Sequence, residues 1–258
     1  MNRFVVSATL SFCLFAAAAR AETPEQQGLS VAVLCDKANM GFKSEKSELT
    51  MELINAHGDV TNRKIVIETL EGADDGDRSR STFVWPADVK GTRLLTWTHK
   101  QDDDDQWLYL PAIKRVKRIA SNNKSGSFMG SEFAYEDFGS QEVPKYTYKL
   151  SGDAKEQGRD VWLLDRYPVS KTSGYTRQVV WMDKEYKNPL KIDYYDRKGE
   201  LLKTAQFGDY RAFGKLWRAG KIDMHNVQTK KRSVITWTTR RMDAQLEEKI
   251  FKSDALEN

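Results

Sequence analysis

Three histidines, His57, His99 and His225, are the first residues to weigh for acid–base or metal chemistry, and they stand far apart in the chain. No His-x-x-x-His pair and no cysteine pair accompanies them, so the spacing that clamps a zinc ion is missing and no metal site is expected. Gly126-Ser127-Phe128-Met129-Gly130 approaches the G-x-S-x-G elbow of acyl-transfer enzymes, but its serine comes one position early and no strand clearly feeds it. Ser121 and Lys124 make an S-x-x-K pair without the S-D-N and K-T-G elements that would give it meaning. Asp137-Phe138-Gly139 spells a phosphate-transfer metal triplet with no glycine-rich loop or H-R-D segment beside it. Acyl transfer needs a positioned nucleophile and base, and this chain displays neither. No catalytic residue and no cofactor is expected, and the chain reads as a non-enzyme.

The charge runs have plainer readings. Asp102 to Asp105, with Asp74, Asp75 and Asp77, lacks the D-x-D-x-D-G spacing of a calcium loop and reads as solvated hairpin tips. Lys114, Arg115, Lys117 and Arg118 form a basic stretch that would meet anionic lipid head groups or an acidic partner, or serve as solubilising surface.

These residues must be carried somewhere, and the first 21 residues give an address. Arg3 precedes an uncharged run from Phe4 to Ala19, closed by Ala19-Arg20-Ala21, the order of a secretory signal cleaved after Ala21. The run is shorter than the roughly 20 residues that span a bilayer, so an exported, unanchored mature chain is expected. Cleavage removes Cys13 and leaves Cys35 alone in an apolar run, where a buried structural thiol is expected and no disulfide is possible within the chain. Arg3 and Arg20 leave too, so the balance becomes 39 cations against 37 anions, a net of +2. That balance gives no support to nucleic acid as a partner.

The mature chain opens with Thr23, Pro24 and Gln26 placed to cap a helix, followed by apolar residues at helical spacing until Gly41. From Lys46 the period changes to two, and His57-Gly58-Asp59 turns one strand into the next. About a dozen short strands follow to Thr239, at the spacing of an antiparallel sandwich or barrel, with no linker that divides them. Residues 121–144 are the exception, a stretch without strand period that is longer than compact domains tolerate without a purpose. Its large apolar residues, Phe128, Met129, Phe133, Tyr135 and Phe138, make it either a lid over a mouth or a loop packed on the outside of the sheet. Ser131 is placed to cap a short helix running to Phe138. Trp85, Trp97, Trp107, Tyr109, Tyr146, Tyr148, Trp181, Tyr194 and Trp237 fall in strand-like segments, many at alternating positions, and predict a sheet face lined with large rings. Such a face either packs against another layer or, if partly uncovered, holds an apolar ligand.

The blocks Asp88-Val-Lys-Gly-Thr92, Asp104-Asp-Gln-Trp-Leu-Tyr-Leu-Pro-Ala112, Lys114-Arg-Val-Lys-Arg-Ile119 and the run Asn123 to Phe138 resemble the bacterial outer-membrane lipoprotein-sorting family, relatives of the periplasmic carriers LolA and LolB. The resemblance continues through Arg166-Tyr-Pro168, Ser173-Gly-Tyr-Thr-Arg177 and Tyr195-Asp-Arg197 and covers essentially residues 22–258 as one domain. It implies a mainly β fold, a half-open antiparallel β-barrel with an N-terminal helix and a lid segment, which holds acyl chains and performs no catalysis. It also implies a periplasmic address and association with transporters of the resistance-nodulation-division type. The expected function is a carrier of lipid, or of lipoprotein acyl chains, toward the outer membrane; the alternative is an accessory protein that docks on such a transporter through Lys114, Arg115, Lys117 and Arg118. The expected cavity or lid residues are Trp85, Trp97, Trp107, Tyr109, Phe128, Met129, Phe133, Tyr135, Phe138 and Trp181, around a cargo of as many as two chains.

Overall fold

Thr23 caps the first element as its spacing predicts. Its hydroxyl accepts from the Gln26 N–H at 3.2 Å and the Gln26 side chain accepts from the Thr23 N–H at 2.9 Å, with Pro24 at the first helical position. The computed structural model describes residues 21–257, so the export segment, apart from Ala21, lies outside the described residues. Helix α1 (Pro24–Asn39) buries Gly28, Val31, Ala32 and Cys35 and leaves most of its other side chains to solvent.

The period-two regions form strands in chain order: β1 (Ser44–Ile54), β2 (Val60–Leu70), β3 (Arg78–Trp85), β4 (Arg93–Trp97), β5 (Asp105–Leu110) and β6 (Arg115–Ile119). After a long irregular segment come β7 (Tyr146–Glu156), β8 (Arg159–Pro168), β9 (Arg177–Asp183), β10 (Pro189–Tyr195) and β11 (Leu201–Gly208). A small hairpin, β12 (Arg211–Phe213) and β13 (Leu216–Arg218), precedes β14 (Lys221–Asn226) and β15 (Arg232–Met242). The sequence reading misses this hairpin and leaves β6 undecided between strand and loop. Both are short, and on β6 the charges hide any apolar alternation.

Among the described residues thirteen strands make one antiparallel sheet in the order β6-β5-β4-β3-β2-β1-β15-β14-β11-β10-β9-β8-β7. Most neighbours are hairpins, for which local turn chemistry suffices; at β7–β8 the turn is Gln157-Gly158, both at positive φ as a tight two-residue turn requires. The pairing of β1 with β15 joins the two halves. Register shifts at Lys64/Ile65, Glu48/Leu49, Tyr194/Tyr195 and Leu150/Gly152 are bulges that bend and coil the strands. The sheet wraps far enough that Leu108 of β5 and Tyr148 of β7, near its opposite edges, belong to one buried cluster with Met51, Ile65 and Phe83. The edges β6 and β7 do not pair, and the chain between them, residues 120–145, bridges the opening.

Candidate functional site

The bridging segment enters the half-barrel instead of lying outside it. Phe128 is fully buried, with ring centroids 5.5 Å from Phe83, 5.7 Å from Tyr135 and 4.4 Å from Phe138. Aromatic pairs at this spacing add to area burial. Polar bonds then fix the segment to distant strands. Lys203 of β11 donates to the Glu132 carbonyl at 2.8 Å and to Asp137 Oδ2 at 2.7 Å, and Tyr175 donates to Asp137 Oδ1 at 2.9 Å. Gln106 of β5 donates to the Tyr135 carbonyl at 2.9 Å, and Glu136 accepts from Ser173 at 2.7 Å and from the Gly174 N–H at 2.8 Å. It is a plug. Ser131 does not cap a helix; its hydroxyl donates to the Phe128 carbonyl inside a tight turn, and the short 3-10 turn Tyr135–Phe138 is started by Asp137 accepting from the Ala134 N–H at 2.8 Å.

Beside the plug, and under α1, lies a cavity of about 450 Å³. The inner face of the sheet is organised in rows by its register, and the cavity is bordered by Tyr148, Arg166, Gln178 and Tyr194 of one row and Leu164, Val180, Ile192 and Met224 of the next. One row of directly paired residues crosses β7, β8, β9, β10, β11 and β14 as Tyr148, Arg166, Gln178, Tyr194, Lys203 and Asn226. Two positions further along the same strands a second row reads Leu150, Leu164, Val180, Ile192, Ala205 and Met224. Because side chains two apart share a face, both rows point into the barrel. The cavity therefore has a polar end, next to the plug, and an apolar body that continues to Met182, Phe207 and Ile222. Ala32 and Cys35 of α1 and Phe133 of the plug complete the wall. Burial pushes the Cys35 thiol up to about 12, so it is an inert hydrophobe at neutral pH, as its apolar run suggests.

Of the expected aromatic lining, Phe133 alone borders the cavity. Phe128, Met129, Tyr135 and Phe138 pack in the adjoining core, against strands of the first half. Trp97, Trp107 and Tyr109 face the other side of the sheet, and this is a correction. On β4 and β5 the inward positions are taken by Leu94 and Leu108, so their neighbours point outward. There the C-terminal turns Glu248–Phe251 and Ser253–Glu257 cover them: Phe251 and Leu256 are fully buried with Leu95, and Trp97 Nε1 donates to the Phe251 carbonyl at 2.6 Å. Trp181 likewise faces away from inward Val180, with the Lys191 ammonium 4.0 Å from its ring, and Trp85 is 49% exposed at the end of β3. Alternation revealed a two-faced strand, but nothing local distinguishes the concave face from a convex face covered by the tail.

The basic residues Lys114, Arg115, Lys117 and Arg118 are exposed on or beside edge strand β6, where charge discourages edge-to-edge pairing; Arg118 pairs with Asp105. The acidic tips are more engaged than solvated loops. Asp103 accepts from Lys124 at 2.7 Å, Asp104 pairs with Lys145, and His99 lies between Asp75 (2.6 Å) and Asp105 (3.3 Å). Arg166 is the buried wall residue that the sequence reading passed over. Its signal was there: it shares strand parity with Trp162 and Leu164, a cation where an apolar residue is due.

A family model described as an uncharacterized protein matches residues 75–258. None of the curated proteins compared with the chain matches it. Among solved structures, a domain described as an outer membrane lipoprotein-sorting protein from Vibrio parahaemolyticus is 44% identical, covers 91% of this chain and all of its own, and superposes with a TM-score of 0.89. A DUF1329 family protein from Desulfovibrio piger is 32% identical over the same 91%, again covered along its whole length, with a TM-score of 0.87. A LolA superfamily protein from Nitrosomonas europaea, 18% identical, shares the fold at a TM-score of 0.69 over 90% of this chain and 99% of its own.

Proposed function

The chain belongs to the LolA-like family of outer membrane lipoprotein-sorting proteins, and from that premise we propose that it is a periplasmic carrier which holds the acyl portion of a lipid or lipoprotein inside its half-barrel. The observation that carries this reading is the cavity of about 450 Å³ bounded by paired apolar rows and flanked by one helix and one plug. Its volume lies within the roughly 300–1,000 Å³ range of small-ligand sites. A water occupies about 30 Å³ and a methylene is of similar size, so the cavity accommodates roughly fifteen heavy atoms of chain. That is room for one acyl chain. The drive to occupy it is removal of chain surface from water, at roughly 25 cal/mol per Å². A carrier of this kind needs no catalytic step.

Export through the segment ending at Ala21, and delivery toward the outer membrane, belong to the same proposal. The exposed cations of β6 support a docking role beside the carrier role, on an anionic surface of a partner or membrane. None of the three solved relatives above is described by a resistance-nodulation-division transporter.

Native mass spectrometry of protein recovered from the periplasm is expected to show a bound lipid adduct, with one fatty chain per protein after extraction. A clean unloaded spectrum, together with no uptake of a fluorescent fatty acid, would refute the carrier reading. Reversing the charge at Lys114, Arg115, Lys117 and Arg118 should leave that uptake intact while weakening retention on anionic vesicles.

A further inference from the structure

Arg166 and Lys203 are cationic residues buried in the fold, and the Arg240 side chain, also buried, pairs with Glu45. Lys203 has its counter-ion in Asp137 at 2.7 Å. Arg166, 8% exposed, has no carboxylate within 4.0 Å; its one side-chain hydrogen bond runs from Nε to Gln178 Oε1 at 2.5 Å, and its guanidinium lies 4.9 Å from the Tyr146 ring. The two terminal nitrogens, with four N–H donors, have no protein acceptor and border the cavity. Two places along the same row, beyond Gln178, the Tyr194 hydroxyl has no hydrogen-bond partner among the described residues either. A guanidinium largely withdrawn from water and without a counter-ion is costly to keep, and an anion held in the cavity would supply that counter-ion.

The acids of the cavity wall do not fill that role. Asp137 is held by Lys203 and Tyr175, Glu136 by Ser173 and the Gly174 N–H, and Glu142 by Ser140. Glu71 accepts from the Lys43 N–H at 2.6 Å, Asp75 is held by His99 and the Lys100 N–H, and neither Asp36 nor Asp77 forms an ion pair with Arg166. What remains is a planar cationic fork at the polar end of a slot whose apolar body runs through Leu164, Val180, Ile192 and Met224. Carboxylate and phosphate are the groups that such a fork receives two-pronged.

Resting on the carrier reading, we infer that this cavity selects a single-chain anionic amphiphile, with Arg166 receiving its carboxylate or phosphate head and the apolar rows receiving its tail. Arg166 is thus a specificity residue, and the ligand enters head first toward the plug. The two sources of that chemistry are a free fatty acid and a one-chain phospholipid, and they are separable by experiment.

Displacement of a bound fluorescent fatty acid is measured for hexadecanoate, palmitoyl lysophosphatidate, hexadecanol and hexadecyltrimethylammonium on the wild type, Arg166→Gln and Arg166→Lys. The wild type should prefer at least one anion over hexadecanol by roughly ten- to hundredfold, the value of a charge-assisted bond. Arg166→Gln should bind hexadecanol as before and lose that preference, and Arg166→Lys should keep part of it. Preference for hexadecanoate identifies a free fatty acid as the source, and preference for lysophosphatidate alone identifies a phospholipid; either supports the inference. Equal affinity for alcohol and anions in the wild type overturns it while leaving the carrier reading in place. Binding of no chain at all overturns both. If Arg166→Gln does not fold, the carboxyl titration of ¹³C-hexadecanoate on the wild type decides: a bound pKa below that in a neutral detergent micelle supports the inference, and one above it overturns it.

Discussion

Phe128 shows how much a single side chain of the bridging segment contributes. It is fully buried and touches aromatic rings from β3 and from its own segment, so truncation leaves a void that the rigid sheet cannot close. Phe128→Ala is expected to cost about 3–5 kcal/mol in urea unfolding, whereas Trp85→Ala, at 49% exposure, should cost well under half of that. Asp77 gives a pH signature at the same scale. Burial, with Glu142 and Glu71 nearby, pushes its carboxyl up to about 6 against the opposing effect of the Gly72 N–H bond. A raised acid favours the folded state fully below its ordinary value of 3.8, and that contribution is lost as pH rises through about 6. Asp77→Asn keeps the acceptor for Gly72 and removes the charge. Its stability relative to wild type should be unchanged near pH 4 and higher above pH 6.5, by on the order of 2–3 kcal/mol. Denaturant melts at the two pH values test this, and a constant difference would contradict it.

At the scale of elements, α1 is the piece of wall with the least holding it. Gly28 lets it lie on β7: a Cβ there would come 2.8 Å from the Leu150 nitrogen and 2.9 Å from Lys149 backbone atoms, which cannot yield as a flexible side chain can. Gly28→Ala is therefore expected to lift α1 at a cost of about 1–3 kcal/mol and to expose Cys35 beneath it. The wild-type thiol, 5% exposed and titrating at about 12, should resist a disulfide reagent, and the variant's should react readily. An unreactive Cys35 in a folded variant would show that the helix accommodates the methyl in place. The C-terminal turns make a second separable element, on the opposite face. Phe251→Ala removes a fully buried ring from over Leu95 and Trp97, with an expected cost of about 3–5 kcal/mol, and should leave the cavity's ligand preference unchanged.

For the molecule as a whole, the arrangement separates a rigid part from a part able to open. The plug is tied to β5, β11 and the β8–β9 connection by buried polar bonds, so its release would strand several partners at once. Helix α1 packs mainly on one edge strand. Widening the cavity for a chain to enter requires some wall to move, and α1 is the wall with the smallest opening cost. Hydrogen exchange should therefore find α1 amides exchanging faster than those of β8 to β10 in unloaded protein, with protection of α1 rising on loading. Equal protection of helix and strands before loading would assign the gate to another element.

Much of this was legible in the residues. The Thr23-Pro24-Gln26 cap, the hairpin at Gly58 and nearly every strand follow from short-range chemistry: caps satisfy free N–H groups, glycine takes positive φ, and alternation marks a two-faced strand. The family was legible because its motif blocks are contiguous in the chain. Which face is concave was not, because Trp97 and Leu94 differ only in parity, and parity acquires a meaning once the tail from Glu248 onward settles on one side. The polar row was hidden for a similar reason: Arg166, Gln178 and Tyr194 lie on three strands, and only their register sets them side by side. Local sequence determined the elements and the family; the site depended on long-range pairing, which brings together residues that the chain itself keeps apart.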